Sequence, residues 1–325
     1  MAKLTVVLGE YAHGRALLNG DVEVAGHAVE PVEVSPVIGA YRRMIRDLEF
    51  DVCELAPTSY LMALQAGVAL TAIPVFLNRR FHHADVQCGA SSGIRFPGDL
   101  AGKRIGVRAY TVTTGVWVRG ILHDEYGVDL DTVKWVVDDE DHIEGRAPAN
   151  VERVTDGRSL GALLRAGELD AALSGNAGTG RAGAPRAGWS AAEQPSGDEG
   201  PYPLFPDHEV LAADWYLRTG IYPLHSVIAI RRELVERDPG LPGALYAAFA
   251  ESKRRQVEAD PEWSALPRLG RQARGLGTDP IPYGLGANDR SVRALVRFSR
   301  EQGLLDADFP AEPRQLFADG DYPDA

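Results

Sequence analysis

The sequence has little cysteine and no long apolar segment. Two cysteines, Cys53 and Cys88, among 325 residues are too few for a disulfide framework or for a metal site built on thiolates. The apolar runs are far shorter than the ~20 residues that a transmembrane helix needs. The first residues also lack the apolar centre and the cleavage site of a secretory signal. We therefore expect a cytoplasmic protein without a membrane partner.

Positive charge is scarce as well. The chain has 34 Lys and Arg against 46 Asp and Glu, which gives a formal net charge of -12. A nucleic-acid-binding surface needs clustered Lys and Arg, and the short basic run at residues 253–255 is more typical of the solvated side of a helix. The sequence also lacks a glycine-rich dinucleotide fingerprint and a Gly-x-Ser-x-Gly nucleophile elbow. These absences argue against a nucleic acid partner and a dinucleotide cofactor.

The chain instead alternates short β-rich runs with segments of helical spacing. Strands are expected at residues 4–8, 29–34 and 50–56, and a helix is expected at residues 38–48. This alternation is typical of the α/β class, in which the sheet is mostly parallel. With 45% apolar and 25% charged residues, the composition is that of a folded globular protein.

The order of these elements predicts two lobes with a cleft between them. Residues 1–92 and 228–325 would form a discontinuous lobe 1, and residues 93–227 would form an inserted lobe 2. Two crossing segments would join the lobes, which would close over a ligand by a hinge motion. A Gly/Ala-rich stretch at residues 174–203 is expected to be a mobile loop or lid.

The segment at residues 75–86 carries the clearest chemical signal. It places Arg79, Arg80, His82 and His83 between apolar runs that have the character of strands. Guanidinium matches a carboxylate in a planar two-point geometry, and imidazole exchanges protons near neutral pH. The segment therefore indicates a site for an anionic, carboxylated small molecule. The alternative is that the arginines are solvated surface charges and that one histidine caps a loop.

Five stretches of the sequence together resemble the 4,5-dihydroxyphthalate decarboxylase family. They are Asp-Val-Cys-Glu-Leu at residues 51–55, the segment 75–86, Asp-Leu-Ala-Gly-Lys-Arg-Ile-Gly-Val at residues 99–107, the helix start and following turn at 110–128, and Arg-Thr-Gly-Ile-Tyr-Pro-Leu-His at residues 218–225. The resemblance implies a bilobed fold similar to type 2 periplasmic solute-binding proteins. It also implies loss of one carboxylate from a dihydroxylated aromatic diacid, which gives protocatechuate and carbon dioxide without a cofactor.

Such a decarboxylation requires one group that holds the retained carboxylate and two that move protons. For the carboxylate we expect Arg79 first, then Arg119 and Arg80, although Arg119 could equally form a surface ion pair. For proton transfer we expect His83 and His225, because each falls on a predicted crossing strand. His82 is a weaker candidate, since adjacent strand residues face opposite ways.

Glu54 ends a predicted strand, where α/β proteins bind ligands. It could orient a histidine or act as a base, or it could be a salt-bridged core carboxylate. A divalent metal site could be formed by His82, His83, Asp85 and Glu54. It stays the minor alternative, because the adjacent histidines of an extended segment point apart. His13 and the other remaining histidines are expected to be solvated. Further substrate-binding candidates lie after strands or at the starts of helices: Tyr11, Arg15, Ser59, His82, Thr113 and Thr114.

The sequence thus predicts a carboxy-lyase whose partner is a small aromatic carboxylate, and homo-oligomer formation stays open. A second hypothesis is a cytoplasmic solute-binding or sensor protein that binds an organic anion without turnover. The histidine pair favours catalysis. A third hypothesis is a biosynthetic enzyme on the same fold, of the thiamine-pyrimidine or menaquinone-pathway type.

Overall fold

The computed structural model describes residues 2–182, 190–191 and 200–325. Its strands are β1 Ala2–Val7, β2 His27–Pro31, β3 Val52–Leu55, β4 Leu70–Ile73, β5 Val86–Cys88, β6 Arg104–Gly106, β7 Lys134–Val137, β8 Val151–Arg153, β9 Ala171–Leu173, β10 Arg181–Ala182, β11 Ser190–Ala191, β12 Tyr202–Pro203 and β13 Val227–Arg231. Its helices are α1 Arg15–Leu18, α2 Ile38–Asp47, α3 Pro57–Gln65, α4 Thr113–Tyr126, α5 Leu160–Arg165, α6 His208–Thr219, α7 Arg232–Arg237, α8 Leu241–Ala259, α9 Pro267–Leu276 and α10 Asp289–Glu301. Half of the predicted loop at residues 174–203 lies outside the described residues.

The contacts divide the chain into two compact units. Unit 1 consists of Met1–Arg80, Trp215–Arg297 and Ala307–Ala325, and unit 2 consists of Phe81–Asp214 and Phe298–Asp306. The domain boundaries that we expect from the sequence, after residues 92 and 227, stay a prediction.

Unit 1 contains a five-stranded sheet in the order β2-β1-β3-β13-β4. Strand β1 runs parallel to β2 and β3, whereas β13 is antiparallel to β3 and β4. Its core includes Val52, Ile73 and Ile228 from three neighbouring strands, together with Phe249 from α8. Because β13 pairs between β3 and β4, chain that follows residue 215 completes a sheet that the first 80 residues began.

Unit 2 contains a six-stranded sheet in the order β12-β5-β9-β6-β7-β8. Strands β9, β6, β7 and β8 pair in parallel, and β5 is antiparallel to both β9 and β12. A core that includes Val136, Leu160 and Ala172 lies between this sheet and α5. The predicted α/β class is therefore confirmed, but both sheets are mixed instead of mostly parallel.

Three local predictions were wrong. The segment at residues 74–77 is not a strand, because Pro74 cannot donate to a sheet ladder. The strand expected to contain His225 begins only at Val227, after Pro223. His83 lies in a 3-10 turn, His83–Asp85, so neither histidine is on a strand. Within the part of the chain that the structure describes, no helix is both long and apolar enough to cross a bilayer.

Candidate active site

Glu54 is the centre of a hydrogen-bonded cluster in unit 1. Strands β1 and β3 are parallel, with Val7 opposite Cys53, so the chain that leaves β1 passes beside Glu54. The carboxylate is buried, at 1% exposure. It accepts hydrogen bonds from the Gly9 N–H at 2.8 Å on Oε2 and from the Tyr11 hydroxyl at 2.7 Å on Oε1. Neither of these partners is a cation, so they do not form the salt bridge that was one alternative for Glu54.

Gly9 has to be a glycine for this geometry. A Cβ at this position would lie 2.9 Å from the Tyr11 ring and 3.1 Å from Glu54 Oε2. The first contact is closer than Cβ atoms show and the second is tight, so the Tyr11 ring would have to shift and Glu54 would have to give way slightly. The glycine therefore allows the backbone N–H to approach the carboxylate.

The electrostatics suit proton transfer. Burial raises the pKa of Glu54 above its usual value, although the Gly9 N–H and the hydroxyls of Tyr11, Tyr41 and Ser226 favour the charged form. Burial and the nearby Glu54 raise the pKa of Tyr11 well above 10.0. Tyr11 therefore stays protonated near neutral pH and can only relay a proton, whereas Glu54 can take one up.

Asn78 and Ser226 close a ring of hydrogen bonds with this pair. The Asn78 backbone N–H donates to Ser226 Oγ at 2.9 Å, and the Asn78 side chain also bonds to Tyr11. Ser226 bonds to Glu54 in turn. The predicted proton-transfer residue His225 lies next to this ring, because its backbone N–H donates to the Asn78 carbonyl at 3.0 Å. Glu54, Tyr11 and His225 are thus brought together within one unit.

Two arginines border the cluster. Arg268, near the start of α9, donates to the Arg79 carbonyl at 2.6 Å and to Asn78 Oδ1 at 3.0 Å. Arg80 is partly buried, and its positive charge is close enough to Arg268 to lower the pKa of that residue. Burial of the guanidinium lowers the pKa of Arg268, although the residue as a whole is exposed. An arginine stays charged under such a shift.

Arg79 is not a solvated charge, as one alternative had it. Its side chain is fully buried in unit 1, at 0% exposure. It donates to Asn288 Oδ1 at 2.5 Å, to the Tyr222 carbonyl and to Ser291 Oγ at 3.2 Å, and it stacks 4.3 Å from the Tyr222 ring centre. Burial lowers its pKa to about 10. Arg79 is the residue that we expected first to bind the substrate carboxylate. Both of its terminal nitrogens already donate to acceptors of the chain itself.

The other predicted residues of unit 1 lie around the cluster. Arg15 is exposed at the start of α1, and Ser59 is buried at 3% exposure in the first turn of α3. His13 was expected to be solvated but is 1% exposed, and its Nε2 lies 3.0 Å from the Leu77 carbonyl. Burial lowers its pKa to about 4. His13 is therefore neutral at physiological pH.

His82 and His83 belong to unit 2. His82 is fully buried, and its Nδ1 lies 2.7 Å from Asp85 Oδ2. Ser174 Oγ donates a longer bond of 3.4 Å to the other Asp85 oxygen. His83 is 2% exposed and makes an edge contact with the Phe205 ring, with 6.1 Å between ring centres. The structure thus pairs His82, the weaker candidate, with a carboxylate that fixes its tautomer.

Arg119 is also buried in unit 2, which excludes the surface ion pair that we considered. Its Nε donates to Gln302 Oε1 at 2.7 Å and its Nη2 donates to the Tyr110 carbonyl at 2.6 Å. The guanidinium stacks on the rings of Tyr110 and Trp135, at 3.9 Å and 5.2 Å from their centres. Only Nη1 has no hydrogen-bond partner among the described residues. Arg119 therefore connects the loop before α4 with Gln302, which follows α10 and also belongs to unit 2.

Thr113 and Thr114 are the first two residues of α4 and are each 1% exposed. They lie inside the helix instead of preceding it, and Val112 is the N-cap. Thr111, just before the helix, donates to Asp141 Oδ1 at 2.8 Å through its hydroxyl. A role of the threonines in anion binding stays a prediction.

Sequence reasoning missed four residues of the unit 1 cluster. Asn78 and Ser226 adjoin predicted site residues, and this adjacency was the available signal. The other two are Tyr41, whose hydroxyl lies 3.4 Å from Glu54 Oε1, and Arg268. Both are distant in the sequence from the predicted site residues, and no sequence signal indicated them. Within residues 2–182, 190–191 and 200–325, no group of three or more His, Cys, Asp or Glu is arranged to hold a metal ion.

Comparison with known proteins identifies curated relatives over nearly the whole chain. The chain is 34% identical over 337 aligned positions to a 4,5-dihydroxyphthalate decarboxylase from Comamonas testosteroni, covering 97% of this chain and 96% of that protein. A protein of the same name from Pseudomonas putida is 33% identical over 180 positions, covering 52% of this chain and 69% of that protein. No family model matches the chain.

The solved structures that resemble the chain include periplasmic binding proteins. The aliphatic sulphonate binding protein SsuA from Escherichia coli has a TM-score of 0.52 at 12% identity, covering 98% of both chains. The alkanesulfonate-binding protein SsuA from Xanthomonas axonopodis, bound to MOPS, has a TM-score of 0.53 at 13% identity, covering 98% of this chain and 96% of that chain. At these identities the likeness shows the fold alone, and it confirms the expected periplasmic-binding-protein-like fold.

Proposed function

The chain belongs to the 4,5-dihydroxyphthalate decarboxylase family and is therefore a carboxy-lyase, and we propose that its own substrate is 4,5-dihydroxyphthalate or a close hydroxylated aromatic diacid. The observation that carries this proposal is the 34% identity to the Comamonas testosteroni decarboxylase over 97% of the chain. The proposed products are protocatechuate and carbon dioxide, and the proposed location is the cytoplasm.

The reaction needs only proton transfers. Each carboxylate of 4,5-dihydroxyphthalate is para to a hydroxyl, so removal of that hydroxyl proton directs electron density to the carbon that carries the departing group. A proton then adds to this carbon, the bond to the carboxylate breaks, and its electron pair restores the aromatic ring. The phenolic oxygen regains a proton, so one proton is consumed for each carbon dioxide released. No step requires a redox cofactor or an electron sink outside the ring.

We assign the phenolic proton to the Tyr11–Glu54 pair. The substrate hydroxyl would give its proton to the Tyr11 oxygen while the Tyr11 proton passes to Glu54 Oε1 across 2.7 Å. The raised pKa of Glu54 supports this assignment, because the buried carboxylate accepts a proton more readily than an exposed one. His225, partly exposed and bonded through its backbone to Asn78, would protonate the ring carbon.

The test is turnover by purified, metal-stripped protein with 4,5-dihydroxyphthalate and with single hydroxybenzoates. We expect one carbon dioxide and one protocatechuate for each diacid consumed. Binding without release would favour the sensor function, and release only after a metal is added would contradict a mechanism that uses protein groups alone. A His225→Gln variant with full turnover would remove His225 from proton donation.

A matched pair of carboxylate variants tests the role of Glu54. Glu54→Gln should lower kcat by about 10²-fold to 10⁴-fold, the usual contribution of a general base. Glu49→Gln removes a carboxylate from the exposed pair with Arg43 and should leave kcat unchanged. Equal activity of the two variants would exclude Glu54 as the base.

A further inference from the structure

Building on the proposed function, we propose that Arg268 binds the carboxylate that the substrate retains, and that this contact gives the enzyme its preference for carboxylated catechols over neutral ones. The inference rests on how α9 orients Arg268, on the neutral acceptors that its guanidinium contacts, and on its position beside Tyr11.

Helix α9 is fixed against the core of unit 1 by one face. Leu266, Leu269 and Ala273 lie on this face and pack against the core. Gly270 allows close approach, since a Cβ there would lie 3.0 Å from the Glu262 carbonyl and 3.1 Å from the Trp263 carbonyl. The orientation of α9 is therefore determined by packing, which places Arg268 toward residues 78–79.

The charge of Arg268 is not balanced by the chain. Its acceptors are the Arg79 carbonyl, Asn78 Oδ1 and, at 3.5 Å, Gln272 Oε1, all of which are neutral. Among the residues that the structure describes, no carboxylate forms an ion pair with it. Other exposed arginines do form such ion pairs, for example Arg254 with Glu251 and Arg293 with Glu312. Arg268 thus retains the capacity to bind an anion.

The surroundings of Arg268 fit a hydroxylated aromatic acid. Arg80 and Arg271 add positive charge next to it, whereas Tyr11 and Tyr222 are its other electrostatic neighbours. Tyr11 is the hydroxyl that bonds to Glu54. A ligand with a carboxylate on Arg268 would therefore have its ring near the group that accepts the phenolic proton. Two anchors at opposite ends of one ring give both orientation and selectivity.

Binding of two ligands that do not decarboxylate tests this inference apart from turnover. Protocatechuate has the retained carboxylate and both hydroxyls, and catechol has only the hydroxyls. In Arg268→Met we expect the Kd of protocatechuate, measured by calorimetry, to rise about 10-fold to 100-fold, as for loss of a charged hydrogen-bonded pair. The Kd of catechol should change by less than about threefold. Arg268→Lys keeps the positive charge but lacks the planar two-point geometry of guanidinium. Its Kd for protocatechuate should therefore lie between those of the unchanged protein and Arg268→Met.

Arg274→Met is the matched control, because it removes the same charge from an exposed position on the same helix. It should bind both ligands as the unchanged protein does. Unaltered protocatechuate binding by Arg268→Met would overturn the inference, and so would equal weakening of both ligands, which would mean that Arg268 only supports the shape of the site. If the unchanged protein binds protocatechuate through Arg268 but releases no carbon dioxide from 4,5-dihydroxyphthalate, the proposed reaction fails while the anion site stands.

Discussion

At the scale of single residues, the two tyrosines that approach Glu54 differ in a way that can be measured. The Tyr11 hydroxyl lies 2.7 Å from Oε1, whereas the Tyr41 hydroxyl lies 3.4 Å from the same atom. Tyr11→Phe removes the relay and should lower kcat by at least about 10²-fold. Tyr41→Phe removes only a long, weak bond and should lower kcat by a few-fold at most. Steady-state kinetics on 4,5-dihydroxyphthalate decide between them, and an equal loss in both variants would contradict the relay.

The buried His13 predicts a pH-dependent stability. Burial lowers its folded pKa from 6.5 to about 4, so the unfolded chain binds a proton that the folded chain does not. This contribution to stability is fully present above pH 6.5 and is lost as the pH falls toward 4, by up to about 3 kcal/mol. In His13→Gln, the free energy of unfolding in urea should fall less between pH 7.5 and pH 5 than in the unchanged protein. His208→Gln is the control, and it should keep the full pH dependence.

Which site residues can be predicted from sequence depends on what determines them. Glu54 follows from a local pattern, a polar residue at the end of a β-rich run. Arg79 and Arg268 cannot be ranked in this way, because their partners are more than 140 residues away. Arg79 donates to Tyr222, Asn288 and Ser291. Arg268 donates to Asn78 and to the Arg79 carbonyl. Local sequence marks both arginines as charged and gives neither their burial nor their acceptors.

At the scale of elements, Gly120 allows α4 to approach the Phe298 ring within unit 2. A Cβ added to Gly120 in α4 would overlap the ring of Phe298 in α10. Gly120→Ala should therefore destabilise the protein by about 1–3 kcal/mol through overpacking, as measured by urea unfolding. Gly243→Ala is the control, because a Cβ there meets nothing within 4 Å in helix α8, and alanine should stabilise that helix by up to about 1 kcal/mol. A shorter side chain at position 298 should restore stability to Gly120→Ala.

The elements that sequence analysis missed have weak signals of their own. Strand β4, Leu70–Ile73, has four residues and no alternation, and it is identified as a strand only by pairing with β13. Helix α9 contains two glycines, and only two of its apolar residues, Leu269 and Ala273, pack against the core. By contrast, α2, Ile38–Asp47, was predicted almost to its ends at residues 38–48, because its apolar periodicity extends over its whole length.

At the scale of the whole molecule, each unit has its own sheet and core, so damage to one should be local at first. In native-state hydrogen exchange, Gly120→Ala should increase exchange in peptides from Phe81–Asp214 before peptides from Met1–Arg80 respond. Uniform acceleration of exchange in both units would mean that they unfold as a single cooperative unit.

The α/β class and the family could be predicted from sequence, since the order of the elements indicates the class and several separated motifs indicate the family. The acceptors of individual side chains could not, because they depend on long-range packing.

The position of β13 also has a consequence for the order in which the site can form during synthesis. Glu54, Tyr11 and Asn78 emerge from the ribosome early, but Ser226, which closes their ring, follows only after another 148 residues of chain, counted from Asn78. Until then the carboxylate lacks one of its donors and the middle of its sheet is empty. A chain that ends before residue 226 would therefore carry the proposed base without the environment that tunes it, and would be inactive even if its first 80 residues folded.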